Sequence, residues 1–490
     1  MTALRAIAGG ADRGAVLSSS IVVGSLGLLT LSVCTNAKPA QTTPLLAALI
    51  TLAVGYRRLL AWRSLMVGLV TVILFVPIRR YEFPVHLPFQ LEPYRLFVAF
   101  IAVAAFTSLL IDPRVRMRLT GYEAPLAFIL FAIVASDVVN SARITELGVH
   151  SEVIKRLTFF VSFFLVVLLV NWLIRRQEDI DLVIRALVAG GGILAVFAIF
   201  EAFTGYNIFN HLSSFIPVLR TADIPWSLLH PTGHLRVYAS AEHPIALGAA
   251  LVMILPFGFY LIQKTKQVRW WIYTLLLLLG AFATVSRTAV IMLLVTAVVF
   301  VRHRPKDLKR LWPAVLPLLV VIHIALPGTI GSLKDGFFPS GGIIAQQEKG
   351  AGTRGSGRIA DLGPSLHEWK QRPILGQGFG TRIVDKQRQN APILDDQWLG
   401  TLLETGAVGL IAWVWLFVLF ARRMGRAAKT VTDRDASLLF SCFTAAVTSF
   451  AIGMAFYDAF SFIQVTFLMF ILLGLGSSAL AVQRRRSAIA

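Results

Sequence analysis

The sequence is poor in cysteine and in charged residues. Of its 490 residues only Cys34 and Cys442 are cysteines, and both lie inside apolar runs. Two isolated cysteines provide neither a disulfide framework nor the ligand spacing of a zinc site, which argues against redox and zinc chemistry. Charged residues make up 15% of the chain, compared with roughly 25% in average soluble proteins. With 56% hydrophobic residues, the composition is that of a protein that crosses the membrane many times.

Acidic residues are also scarce, at 26 against 46 lysines and arginines, which gives a net charge of +20. Such an excess can indicate a nucleic-acid partner, but here 26 of the basic residues lie in alternate short breaks between apolar runs. This alternation is the pattern of cytoplasmic loops under the positive-inside rule. It predicts membrane lipids rather than nucleic acid as a partner, with cytoplasmic N and C termini. The two longest breaks, 204–240 and 328–396, then face outward.

The apolar runs predict an all-α polytopic membrane protein with about 12 to 14 transmembrane helices. The first run is long and is followed by no Ala-x-Ala-like site, so we expect it to stay in the protein as a span rather than to be cleaved as a signal peptide. The predicted spans lie near residues 17–34, 42–56, 64–78, 92–111, 122–139, 157–174, 181–203, 241–262, 270–285, 287–301, 311–327, 397–421, 436–456 and 460–482.

The spans and loops divide the chain into four segments. These are N-terminal transmembrane helices at 1–203, a first outer loop with central transmembrane helices at 204–327, a large extracytoplasmic loop at 328–396, and C-terminal transmembrane helices at 397–490. In the large loop, Ser365 and Glu368 have the spacing of a capping box, which predicts a short helix that Pro373 ends. The glycines that follow, from Gly376 to Gly380, predict a tight turn.

Two arginines stand out because the predicted topology puts them at the outer surface. Arg287 lies in a break of only a few residues between two apolar runs, where a charge costs roughly 2.5 to 3.5 kcal/mol if it lies deep in the bilayer. Arg236 precedes Pro244, a plausible first residue of a helix whose positive N-terminal end suits a phosphate. The competing interpretation is that Arg287 reaches lipid headgroups and that Arg236 is an ordinary loop residue.

Two carboxylates mark the end of the large loop. Asp396, Gly400 and Glu404 are spaced by four, so on a helix they lie on one face. The glycine between them leaves room for a ligand or for a neighbouring arginine. This arrangement suits acid–base catalysis, but the spacing alone is equally compatible with a helix cap at Asp396 and a structural ion pair at Glu404.

Several motifs together resemble those of the O-antigen ligase and polysaccharide polymerase superfamily. The motifs are Ser286-Arg287-Thr288-Ala289, the run from Trp369 through Pro373 to Gly380, Asp396-Gln397-Trp398-Leu399, and Glu404-Thr405-Gly406-Ala407-Val408-Gly409-Leu410. The resemblance spans about residues 200–425. It implies a metal-independent membrane glycosyltransferase without a cofactor, which acts at the outer face of the cytoplasmic (inner) membrane in cell envelope biogenesis.

The resemblance also implies substrates and residue roles. The donor would be a glycan on a polyprenyl diphosphate, the acceptor would be a glycan or a lipid-linked glycan, and direct displacement would invert the anomeric carbon. Arg236, Arg287 and Arg358 match arginines that hold the diphosphate, while Asp396 would be the base for the acceptor hydroxyl with Glu404 assisting. Lipopolysaccharide ligases carry a His-Asn pair at the position where this chain has Asp396-Gln397. The resemblance therefore leaves open whether the enzyme is a ligase or a polymerase.

Two other classes of membrane protein compete with a glycosyltransferase. A transporter or flippase of lipid-linked sugars also needs many spans and basic residues, but such folds usually contain internal repeats and place charged sites near the midplane of the bilayer. We find no internal repeat, and the unusual polar residues collect at one predicted surface. A structural scaffold leaves Arg287 and the two carboxylates without a role.

Overall fold

The computed structural model of the chain describes most of it from residue 61 onward. The described residues are 61–83, 92–111, 117–216, 219–222, 228–229, 235–306, 309, 313, 315–339, 342, 361–383 and 390–489. The spans expected near 17–34 and 42–56 lie outside these residues, and so does Arg358.

Helices dominate the described part of the chain, as the sequence predicts. In chain order they are α1 (Trp62–Phe75), α2 (Pro93–Ile111), α3 (Glu123–Val139), α4 (Ser141–Glu146), α5 (His150–Leu173), α6 (Gln177–Thr204), α7 (Leu212–Phe215), α8 (Pro244–Thr265), α9 (Val268–Ala283), α10 (Arg287–His303), α11 (Val315–Ala325), α12 (Thr329–Phe337), α13 (Leu362–Gln371), α14 (Gln397–Thr430), α15 (Arg434–Gly453) and α16 (Ile463–Ile489). Two 3₁₀ turns are formed by Ile208–Asn210 and Ala459–Ser461.

The strands in the described part of the chain are four pieces of two residues each. Tyr81–Glu82 (β1) pairs with Arg220–Thr221 (β2), and Leu228–Leu229 (β3) pairs with Leu235–Arg236 (β4), both in antiparallel register. The first pair joins the loop after α1 to the loop after α6. These short pairs therefore fasten loops together and form no layer of their own.

Seven of the described helices are long and apolar enough to cross a membrane: α2, α5, α6, α8, α14, α15 and α16. Shorter apolar helices, among them α1 and α9, pack beside them. Every span predicted from residue 64 onward coincides with a helix. The predicted class, an all-α polytopic membrane protein, is confirmed.

Helix α8 lies at the centre of the bundle and packs against α6, α9, α10, α15 and α16. Close approach there depends on small residues, since little hydrophobic force draws helices together inside a membrane. Gly248 faces Thr284 and Ala289, so that even a methyl group at position 248 would lie 2.9 Å from the Ala289 side chain. The central helix is therefore fixed on several sides by tight contacts.

The breaks between helices gather into two groups, one at each end of the bundle. At one end, which contains the breaks before α3 and after α5, Arg118 donates to the Ile174 carbonyl at 3.0 Å and to the Ser478 hydroxyl of α16 at 2.9 Å. At the opposite end Arg80 donates to the Ala239 carbonyl at 2.8 Å, joining the breaks after α1 and α6. These groups follow the alternation of basic and non-basic breaks in the sequence. We call the second group the loop end, and its described residues are 76–83, 92, 140–149, 205–216, 219–222, 228–229, 235–243, 373–383 and 390–396.

Helix α14 is interrupted two residues after Glu404. Gly406 has φ 65° and ψ −165°, which breaks the helical hydrogen-bond ladder. The turn after α13 enters the break: the Gln377 N–H donates to the Leu403 carbonyl at 2.9 Å, and the Ala407 N–H donates to the Pro373 carbonyl at 2.9 Å. Backbone groups released by the break are thus bonded within the protein, as a membrane helix requires.

The large loop is partly helical, as predicted, but its second helix begins earlier than the capping box indicates. Helix α13 begins at Leu362, and Ser365 lies buried inside it with its N–H bonded to the Asp361 carbonyl at 3.0 Å. The capping-box prediction is wrong because Pro364 falls in the first turn, where a residue without an N–H costs no helical hydrogen bond. The predicted stop at Pro373 is confirmed, since α13 ends at Gln371.

Candidate functional site

A cavity of about 540 Å³ opens at the loop end of the bundle. Its wall is built from the breaks after α1 and α15, from Ile133 inside α3, from the segments around Phe379 and Leu394, and from the starts of α2, α5 and α14. Charged side chains of both signs line it. The cations are Arg79, Arg95, Lys155, Arg156 and Arg382, and the carboxylates are Glu92, Glu152, Asp396, Glu404 and Asp458.

Asp396, Gly400 and Glu404 all line this cavity, so the predicted common face of α14 is confirmed. Asp396 is the N-cap of the helix, and its carboxylate accepts the Leu399 N–H at 3.1 Å. Gly400 is open, because a methyl group placed there would meet only the Gln397 side chain, at 3.7 Å. The space between the two carboxylates is therefore accessible from the cavity.

Gln397 fixes the start of α14 against the connection between α15 and α16. Its N–H donates to the Met454 carbonyl at 2.8 Å, and its side-chain oxygen accepts the Phe460 N–H at 2.8 Å. The same connection carries Asp458 and Phe460 into the cavity. The orientation of Asp396 is thus set by its own cap and by bonds of the adjacent residue.

Glu404 forms an ion pair with Arg156 of α5. The Arg156 guanidinium donates to Glu404 Oε1 at 2.9 Å and to the Arg382 carbonyl at 2.8 Å. Only 9% of the Glu404 side chain is exposed, compared with 34% for Arg156. Arg156 therefore balances a nearly buried carboxylate and still offers part of its guanidinium to the cavity.

Glu92 organises the opposite part of the wall. Its carboxylate is buried, and it accepts the Arg79 backbone N–H at 2.6 Å and the Arg95 guanidinium at 3.3 Å. Arg95 also lies over the Phe159 ring, with its guanidinium carbon 4.4 Å from the ring centroid. One buried carboxylate thus positions two arginines beside the cavity.

Asp458 is a third carboxylate beside Asp396 and Glu404. It accepts a hydrogen bond from the Ser461 hydroxyl. Burial raises the pKa of the Asp458 carboxyl above its ordinary value, although the Ser461 hydrogen bond and the charges of Arg156 and Arg79 oppose that rise. A carboxyl with a raised pKa in a cavity is a candidate for proton exchange.

The two described arginines of the predicted diphosphate site, Arg236 and Arg287, are not among the residues that line the cavity. Arg236 ends β4, and its charge acts on His243, the N-cap of α8. Burial, with a further contribution from Arg236, lowers the pKa of His243 to about 3, so its imidazole is neutral at physiological pH. The His243 ring stacks on Phe462, with centroids 5.3 Å apart, next to cavity residue Ser461.

Arg287 is the first residue of α10, whose N-cap Ser286 accepts the Ala289 N–H at 3.4 Å. Its guanidinium donates to the Gly336 carbonyl of α12 at 2.9 Å. The adjacent Thr288 hydroxyl donates to the Phe456 carbonyl at 3.5 Å, so α10 meets the same α15–α16 connection that Arg236 approaches through His243. The structure brings the two carboxylates into one cavity and leaves both arginines near a connection that borders it.

Three residues of the cavity were not predicted from the sequence: Arg79, Arg156 and Asp458. One signal was present for the first two: lysine and arginine are sparse in breaks predicted to face outward, so those that occur there are unusual. Asp458 lies in a short polar break that carried no recognisable motif. Among the described residues no group of three or more His, Cys, Asp or Glu side chains has the arrangement of a metal site.

Comparison with known proteins gives one family. Residues 272–414 match the family model described as O-antigen ligase, whereas no curated protein matches the chain. The matched region runs from α9 through the large loop into α14, and it includes Arg287, Asp396 and Glu404. The motif resemblance and the family match thus fall on the same part of the chain, and residues 272–414 of this multi-pass membrane protein are similar to the O-antigen ligase family.

Proposed function

We propose that this protein transfers or polymerises a glycan carried on a polyprenyl diphosphate, at the outer face of the cytoplasmic membrane. The observation that carries the proposal is the cavity at the loop end, where Asp396 and Glu404 line one face of α14 with open Gly400 between them. Arginines that face these carboxylates make the cavity suitable for a reaction that moves both a proton and a negative charge.

In the proposed reaction Asp396 takes the proton from an acceptor hydroxyl as that oxygen attacks the anomeric carbon of the donor. The new glycosidic bond forms while the bond from the anomeric carbon to the diphosphate oxygen breaks. A single displacement of this kind inverts the anomeric configuration. Glu404 holds Arg156 against the cavity by a 2.9 Å ion pair, so its role is to orient this guanidinium beside the reacting sugar.

The leaving polyprenyl diphosphate carries a developing negative charge, which fixed guanidinium groups stabilise through paired hydrogen bonds. We assign this role to Arg236 and Arg287, with Arg358 as a third candidate. The support comes from neighbouring residues that contact the α15–α16 connection, which also supplies Asp458 to the cavity. Thr288, next to Arg287, donates to the Phe456 carbonyl at 3.5 Å, and His243, on which the Arg236 charge acts, stacks on Phe462. No metal is needed in this scheme because the arginines neutralise the charge.

A transporter or flippase of lipid-linked sugars is the second candidate, and the interruption of α14 at Gly406 favours it, because transporters often bind substrates at broken helices. In this chain, however, the Leu403 and Glu404 carbonyls and the Ala407 and Val408 N–H groups at the break are bonded to the turn after α13. These four groups are therefore occupied by the protein itself. Glycosyl transfer accounts better for the carboxylates.

The proposal is tested with purified protein in lipid bilayers, given a polyprenyl-diphosphate glycan and two alternative acceptors. One acceptor is a second copy of the lipid-linked repeat unit, and the other is a lipid-anchored core oligosaccharide. We expect transfer to at least one of them with a chelator present. Transfer to the repeat unit identifies a polymerase and transfer to the core a ligase, whereas donor translocation without transfer to either would refute the proposal.

A further inference from the structure

Arg79 combines an unusual backbone with a place on the cavity wall. Its φ is 66°, in the left-handed region that residues with a side chain rarely adopt. Such a conformation is unfavourable and persists only where the surrounding structure enforces it, which happens most often at functional sites. The Arg79 side chain is exposed and lines the cavity.

The contacts that enforce this conformation come from both sides of Arg79. On one side the buried Glu92 carboxylate accepts the Arg79 N–H at 2.6 Å. On the other side Arg80 is almost completely buried, donates to the Ala239 carbonyl at 2.8 Å and lies 4.7 Å from the centre of the Tyr238 ring. The chain is thus anchored immediately before and after the point at which the Arg79 side chain leaves it.

The charge of Arg79 acts on two carboxylates, one in the cavity and one beside His243. It acts on Asp458, which lines the cavity. It also acts on Glu242, which is adjacent to His243 and accepts the N–H of cavity residue Ile463 at 2.9 Å. Arg79 therefore acts both on a carboxylate of the cavity and on the loop residue next to His243.

We propose that Arg79 is a further donor-binding residue, whose guanidinium holds a phosphate oxygen of the lipid-linked diphosphate, and that Glu92 is its positioning residue. This inference rests on the proposed function. A leaving diphosphate must lie within a few ångströms of the sugar that the acceptor attacks, so at least one of its ligands must share a cavity with the base. Arg79 meets that requirement, and its preset backbone lowers the entropy lost on binding.

Replacement by glycine gives a clean test, since Arg79→Gly removes the guanidinium and makes the left-handed backbone favourable. The measurement is the dissociation constant of polyprenyl diphosphate alone, for protein in lipid nanodiscs, together with the melting temperature. We expect binding to weaken about 10- to 100-fold, the usual loss for a charge-assisted hydrogen bond to phosphate, with an equal or higher melting temperature. Unchanged binding in a folded Arg79→Gly protein would overturn the inference.

Arg220→Ala is the matched control, because Arg220 is an exposed arginine of the same loop end that does not line the cavity. It should bind polyprenyl diphosphate as the unmodified protein does. Glu92→Ala should weaken binding more in the unmodified chain than in the Arg79→Gly chain, where only the contact of Glu92 with Arg95 is left to lose. Fully additive losses would show that Glu92 does not act through Arg79.

The outcomes separate this inference from the proposed function. If the unmodified protein binds polyprenyl diphosphate through Arg79 but transfers no glycan, the inference stands and the transferase proposal fails. If the protein transfers glycan while Arg79→Gly changes only the acceptor KM, the transferase proposal stands and the phosphate role of Arg79 is wrong.

Discussion

Asp396 lines the cavity and also caps α14, so its position is compatible with both a catalytic base and a structural residue. The substitution that separates these roles is Asp396→Asn. Asparagine caps helices about as well as aspartate, but it cannot accept a proton at neutral pH.

We expect Asp396→Asn to slow glycan transfer by about 10²- to 10⁴-fold while folding and donor binding stay close to those of the unmodified protein. The measurements are single-turnover transfer, the melting temperature and the dissociation constant of polyprenyl diphosphate. Full turnover in this variant would leave Asp396 as a cap only and would move the base role to Asp458 or Glu404.

The proposed diphosphate ligands are tested by lysine substitutions at Arg236 and Arg287. Lysine keeps the positive charge but cannot form the paired hydrogen bonds of a guanidinium to phosphate oxygens. We expect Arg236→Lys and Arg287→Lys each to lower kcat/KM for the donor by at least about tenfold. Near-normal transfer by both folded variants would contradict the clamp.

At the scale of the element, α14 contains one glycine at its break and another between the two carboxylates. A methyl group at Gly406 would collide with the Ile374 backbone, and residue 406 also has a left-handed φ of 65°. Gly400, by contrast, has space for a methyl group. These two glycines of one helix therefore form a matched pair for substitution.

We expect Gly406→Ala to destabilise the protein by more than about 1 kcal/mol, because the turn after α13 must move. Gly400→Ala should leave the melting temperature unchanged or higher, since alanine favours a helix by about 0.5 to 1 kcal/mol over glycine. The same substitution should lower kcat/KM because the added methyl group narrows the gap between the carboxylates. Thermal unfolding and donor turnover measured on both variants test this, and equal behaviour of the two would contradict it.

Residue spacing predicted the local parts of this site but not its long-range contacts. Asp396, Gly400 and Glu404 could be placed on one face because helical periodicity acts over a few residues. The partner of Glu404 could not be predicted, since Arg156 is 248 positions away and meets it only after α5 packs near α14. The break at Gly406 was missed for the same reason, because the turn that fills it comes from an earlier segment.

At the scale of the whole molecule, the alternation of basic breaks predicts which end of the bundle faces the outside. After replacement of Cys34 and Cys442, we expect Lys370→Cys in exposed α13 to react with a membrane-impermeant thiol reagent in intact cells. Lys429→Cys, near the C-terminal end of α14, should react only after the cells are opened. The reverse pattern would contradict the outward orientation of the cavity.

The overall class was predictable because apolar length and the distribution of lysine and arginine are physical requirements of the bilayer. Twelve predicted spans from residue 64 onward correspond to helices. The sequence predicted less well which residues line the cavity. Arg236 and Arg287 are predicted on the same side of the membrane as Asp396, yet neither lines the cavity. The side of the membrane on which a residue lies does not specify how the helices pack around one another.

The most direct test of the account is to quantify, in one reconstituted reaction, the glycan joined to the acceptor and the polyprenyl diphosphate set free. Direct displacement predicts equal molar amounts of the two products at every time point, with an inverted anomeric configuration in the new bond. Appearance of intact donor in the opposite leaflet without either product would contradict glycosyl transfer by this protein.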